Sequence, residues 1–350
     1  MAARIVIAAR ITDHIKLTLK KLIRHRSLEM MVFQRILGPL CSVEQIPTEF
    51  RENFILTGYR YPECTLFQCV CSVFTATNET FNFWTHFLPA LYFLYTICQT
   101  YSKDFLQSSY NSPLIAYLVT CILFPFASSM AHMFLSLSNN ARHICFFIDY
   151  GAVSLYSFGS SIAYRAYAFP EVLEYTWFGK WYLPIAFFSA LLSTLFSCQS
   201  RFSRKYEQIF RIGVFSWPYF FDNIPIFILF TPLEERFYSK FYHTKQFLYC
   251  FMAVLMYVSH FPERFKPGYF DIVLHSHQLF HIFGIISTFY QMRGIQIDMA
   301  TRKNTIIKQW FYNYFHYSIS IVLVQLLLIA LIILFYICIL NHKKAIKKKE

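Results

Sequence analysis

The stretch "SISIVLVQLLLIALIILFYICIL" at residues 318–340 runs for 23 positions without one Asp, Glu, Lys or Arg. As an α-helix rising 1.5 Å per residue it would be about 34 Å long, enough to cross about 30 Å of hydrocarbon. Its apolar residues form a solid run instead of alternating, which excludes a strand of a membrane β-barrel. Seven further apolar stretches precede it, at about 83–101, 112–134, 144–164, 180–198, 209–230, 245–261 and 272–292, and this last one covers about 317–341. The expected fold is therefore an all-α polytopic membrane protein. The fifth stretch holds Asp222, Pro218 and Pro225 and is expected to kink.

Composition agrees with this class. Only 15% of the 350 residues are charged, while 56% are hydrophobic and 20% aromatic, against about 25% charged in soluble domains. The net charge of +13 does not point to nucleic acid, because the basic residues cluster beside apolar spans. That placement fits inside-positive orientation and contact with anionic lipid. The ten cysteines are scattered, with Cys69 and Cys71 the nearest approach to a paired motif. They predict neither a disulfide framework nor a thiolate metal site. Residues 11–26, "ITDHIKLTLKKLIRHR", are basic and mildly amphipathic and lack the apolar core of a signal peptide. They are read as a cytosolic segment lying on the inner leaflet.

Both ends of the chain are basic, and eight spans put both in the cytoplasm. This arrangement places 22 of the 32 Lys and Arg residues inside, the expected direction of bias. The segment 293–316 argues the other way, since it would lie outside with Arg293, Arg302, Lys303 and Lys308. The expected organisation is a basic cytoplasmic region at 1–75, a seven-span core at 76–292, a loop at 293–316, an additional span at 317–341 and a basic tail at 342–350.

Residues 275–281 read "HSHQLFH". On a helix His277 and His281 lie one turn apart on one face, and His275 points elsewhere. Polar side chains inside a membrane are costly and usually face a cavity or one another. The second span carries Ser128 and His132 on one face near its end, and the third carries Asp149 near its start. The charge-derived orientation places His132, Asp149, His277 and His281 all near cytoplasmic ends of their spans. Three imidazoles with a fourth position left open form a catalytic-type zinc arrangement, with Asp149 and Ser128 orienting a water or a ligand histidine. The same set is compatible with metal-assisted hydrolysis of a lipid amide or ester, and with a zinc that only ties two spans together. His243 and His316 fall in expected loops, His143 is read as anchoring an inner loop, and His86 and His260 as reaching the interface from span ends. Asn78-Glu79-Thr80 matches the glycosylation pattern, but this orientation places it in the cytoplasm.

Longer motifs carry a resemblance. "ENFILTGYRYP" (52–62), "SVFTATNETFNFWTHFLP" (72–89), "SSMAHMFLSLSNNARHICFFIDYGAVSLYSFGSSIAY" (128–164) and "FDIVLHSHQLFHIFGIISTFYQM" (270–292) are similar to the progestin and adipoQ receptor family, over about residues 39–340. "SNNARHICFF" and "HFPERFKPGYFD" (260–271) resemble its progestin branch more than its adiponectin branch. The resemblance implies a seven-helix core with a zinc site near the cytoplasmic face, plus an eighth C-terminal transmembrane helix. It maps the family's site pattern onto Ser128, His132, Asp149, Ser276, His277 and His281. It further implies a plasma-membrane receptor for progesterone-like steroids, with rapid non-nuclear signalling and a heterotrimeric G protein as partner. The alternative it offers is a zinc-dependent, ceramidase-like lipid amidase acting on a sphingolipid. The 41 Phe and 25 Tyr could line a steroid pocket but do not specify one.

Overall fold

A computed structural model describes residues 38–100, 108–202, 207–230 and 237–347 of the chain. The amphipathic segment at 11–26 and the last residues of the basic tail lie outside them. The structure is built from a short helix α1 (Leu66–Ser72), then α2 (Thr80–Thr100), α3 (Ser112–Phe134), α4 (Asn139–Ala163) and α5 (Trp177–Ser200). The second half contributes α6 (Glu207–Asp222), α7 (Ile224–Leu229), α8 (Phe237–Ser259), α9 (Ser276–Thr301) and α10 (Ser318–Lys347).

Each apolar stretch expected from the sequence falls on a helix, the fifth being shared by α6 and α7, which break at Asn223 between the two prolines. By length and composition alone, three helical stretches among the described residues can cross a membrane: Ser109–Phe134, Trp177–Ser200 and Phe311–Ile346. The other long helices are more polar because they turn hydrogen-bonding side chains inward; α9 alone buries Ser276, Gln278, His281, Gln291 and Asp298.

Local signals set the helix starts. The side chain of Ser138 accepts from the Ala141 amide and caps α4, and Thr176 does the same for α5 from Gly179. Successive helices pack side by side from α2 to α6, α8 pairs with α9, and α9 returns against α2. At the α3–α4 crossing a Cβ on Gly159 would meet Thr120 Cγ2 at 2.8 Å, so the missing side chain lets these helices approach. Helix α10 packs on α3, α4 and α5 from outside. Only 22% of its most apolar window is buried, against 61% for the helix at 109–134. A peripheral, lipid-facing helix and a central one are thereby distinguished.

The segment expected as a loop at 293–316 begins as helix, since α9 continues to Thr301. The reason is its inward polar face: Asp298 is buried against α8. Two cations on the side opposed to the charge rule are structural. Arg165, in a π-helical turn after α4, bonds Glu174 at 2.8 and 3.1 Å and lies between the rings of Phe169 and Phe311. Arg302 donates to the Tyr167 carbonyl at 2.7 Å. At the opposite end, residues 48–63 and 340–344 line one cavity, so the described N-terminal segment and the end of α10 share one end of the bundle.

Candidate metal centre

Helix α3 ends in a turn that carries His132, and Arg60 fixes that end. Its guanidinium donates to the carbonyls of His132 (2.7 Å) and Met133 (2.6 Å) and to Ser72 Oγ (2.9 Å). A cation at a helix C-terminus is favoured by the exposed carbonyl dipoles. The start of α9 is set by a carboxylate. Glu263 accepts from the Ser276 amide at 2.7 Å and from the Ser276 hydroxyl, which satisfies an orphan donor and complements the helix dipole. Starting the helix at Ser276 puts His277 in its first turn and His281 one turn later.

These two termini bring three imidazoles together. The ring nitrogens offered by His132, His277 and His281 lie within 4.8 Å of one another, and His132 Nε2 is 3.3 Å from His277 Nε2. Two nitrogens bound to one tetrahedral zinc at about 2.0–2.1 Å would be separated by about 3.3–3.4 Å. The opposite ring nitrogens are already engaged. His132 Nδ1 is 2.8 Å from Glu79 Oε2, and His281 Nδ1 is 3.1 Å from Thr85 Oγ1. The Thr85 hydroxyl donates to the Phe81 carbonyl at 2.7 Å, so it accepts from His281. Both contacts leave Nε2 as the nitrogen available to an ion, the arrangement that outer partners impose on metal-binding histidines. The donor set therefore fits a divalent metal.

Burial alone would raise the Glu79 carboxyl. The hydrogen bond from His132 Nδ1, together with nearby Arg60, instead holds it well below the ordinary carboxylate range. Asn82 Nδ2 donates to the same Glu79 oxygen at 2.8 Å. Asp149 stands beside His132 and is hydrogen-bonded to Ser128. Its Oδ1 is buried without a hydrogen-bond partner, an orphan polar atom of the kind a ligand or ion satisfies. A cavity of about 1160 Å³ opens from the end of the bundle and reaches Glu79, His132, Ser276 and His277.

The structure thus brings together all the residues marked in the sequence. His275 stays apart, as expected: it precedes α9 and bonds the Asn78 carbonyl at 3.1 Å. Two histidines are placed differently from the sequence reading. His86 does not reach the interface; it is buried and stacks on His281 with ring centroids 3.7 Å apart. His243 is not in a loop but fully buried on α8. The sequence reading gives Glu79 and Thr85 no part in the site, and His86 only that of reaching the interface. One signal was available: Glu79 is the only Asp, Glu, Lys or Arg between Glu63 and Lys103, and it lies two helical turns before His86.

A second histidine–carboxylate pair lies toward the other end. His243 Nε2 is 3.1 Å from Asp298 Oδ2, and its Nδ1 is 3.1 Å from Gln246 Oε1. Gln246 Nε2 then donates to the Tyr164 hydroxyl (2.7 Å) and Asn223 Oδ1 (3.1 Å), and Gln291 donates to the same Tyr164 oxygen at 2.7 Å.

Residues 74–292 match the haemolysin-III-related family. The chain is similar to membrane progestin receptor gamma of Homo sapiens, with 42% identity covering 77% of this chain and 84% of that protein. It is also similar to membrane progestin receptor gamma-B of Danio rerio, 40% identical over 80% and 86%. Membrane progestin receptor delta of Homo sapiens is 39% identical over 78% and 83%.

Proposed function

The chain belongs to the haemolysin-III-related, progestin and adipoQ receptor family, and from that membership we propose that it is a plasma-membrane receptor for progesterone-like steroids. One observation carries the reading: about 40% identity to receptors named for progestins, extending over most of both chains. In this reading eight helices cross the bilayer, both termini are cytoplasmic, and signalling is rapid and non-nuclear through a heterotrimeric G protein. The shared end of the described N-terminal segment and α10 supports the even number of crossings.

The ion assigned to His132, His277 and His281 is zinc, which when bound supplies Lewis acidity and a fixed link between helices. The protein's own part is to hold the three lone pairs in place. Glu79 and Thr85 fix two ring orientations, Arg60 anchors the end of α3, and Glu263 anchors the start of α9. Detergent-purified full-length chain should contain stoichiometric zinc and bind labelled progesterone saturably. Failure of steroid binding with the metal present would overturn the receptor reading alone.

A second reading, a zinc-dependent lipid amidase acting on a ceramide-like sphingolipid, is favoured by Asp149. Its buried, unpartnered oxygen beside Ser128 and His132 is placed to accept a proton or orient a polar group. Asp149→Ala should abolish turnover of labelled ceramide while zinc stays bound; unchanged turnover would remove Asp149 from any such chemistry.

A further inference from the structure

The cavity above the histidines has a wall that neither reading uses. Arg201 follows the end of α5, Arg211 lies early in α6, and Lys343 and Lys344 lie near the end of α10. His143, from the first turn of α4, joins them. Three elements therefore bring four permanent cations to one cavity lining, and aromatic rings flank three of them. Arg201 and Arg142 both lie over Phe146, at 4.5 and 5.2 Å. Lys343 lies 4.4 Å over Phe202, on which His143 also stacks. The Arg211 guanidinium donates to the Tyr150 hydroxyl. Several acids that line the cavity are engaged elsewhere: Glu52 with Arg142 at 2.6 Å, Glu79 with His132, and Glu263 with Ser276.

Depth identifies what meets this wall. The apolar run of α10 is about 34 Å long as helix, so Lys343 and Lys344 emerge just beyond the hydrocarbon, at the level of lipid head groups. Guanidinium forks and ammonium groups converging on one cavity match the dense charge and many acceptor oxygens of a phosphomonoester. We propose that this wall binds the phosphorylated head group of an anionic lipid from the surrounding leaflet, as a site separate from the one for steroid or sphingolipid. The proposal depends on neither the receptor nor the amidase reading.

The test uses detergent-purified full-length chain titrated with a short-chain phosphatidylinositol bisphosphate. Saturable binding is expected, weakened by about tenfold or more in K343E/K344E, whose two lysines are exposed. The variant R201Q/R211Q should weaken binding similarly with zinc content unchanged, which shows that the bundle has kept its fold. Reversing charge at Lys240 and Lys303, toward the other end of the bundle, should leave binding unaltered. Equal affinity for short-chain phosphatidylserine would overturn the phosphomonoester assignment. Inorganic phosphate binding as tightly as the lipid would overturn the lipid source. Unchanged affinity in K343E/K344E would overturn the site.

Discussion

Two buried histidine–carboxylate pairs occupy the bundle, and they do opposite things. His132 meets Glu79 at 2.8 Å and His243 meets Asp298 at 3.1 Å. At His132 only one ring nitrogen is engaged by a carboxylate, and the other converges with two further imidazoles beneath a cavity. At His243 both nitrogens are engaged, one by Asp298 and one by Gln246. With both nitrogens facing protein oxygens, the second ring acts as a crosslink between α8 and α9. What separates a binding site from a fastening is the second nitrogen, not burial or the acid partner.

This difference is open to attack. The largest effect should come from His277→Ala or His281→Ala, each of which should strip the metal from purified protein, measured by elemental analysis. His243→Leu should leave metal content intact but cost about 3–5 kcal/mol by stranding Asp298, read as loss of resistance to thermal unfolding. Glu79→Ala should retain the fold and lower metal affinity about 10–100-fold, measured by chelator competition. Gly294 lies against His243, and a Cβ there would stand 2.7 Å from its Cε1. Because both sides of that ring are tied, Gly294→Ala should destabilise by about 1–3 kcal/mol without changing metal content. Smallest should be Thr85→Val, which removes one hydrogen bond to His281, worth about 1 kcal/mol or roughly fivefold in metal affinity. Metal loss in His243→Leu, or metal retention in both His277→Ala and His281→Ala, would erase the distinction.

The fold was legible because hydrocarbon thickness imposes a length that the sequence must meet, and the run at 318–340 meets it plainly. The three clustered histidines were legible because His277 and His281, four apart, share one helix face, and His132 falls at the matching end of its own span. Their supports were not. Glu79 just before α2, and Thr85 and His86 on it, belong to a segment with none of the three histidines, and only packing of α2 against α3 and α9 gives them a role. His243 was misread for a related reason. It lies near basic residues, which suggests a loop, while its burial depends on Asp298 from a helix that outlasts its apolar stretch.

The cap on α9 has a further consequence. Glu263 is 2% exposed, yet its loop also carries Phe265 and Tyr269, which are 74% and 81% exposed. One short loop thus exposes two rings and sets the first turn of the helix that carries His277 and His281. The placement of these two histidines is therefore inherited from a stretch that contributes neither. Chimaeras that exchange residues 260–275 between relatives to probe surface recognition would carry metal affinity along with the loop.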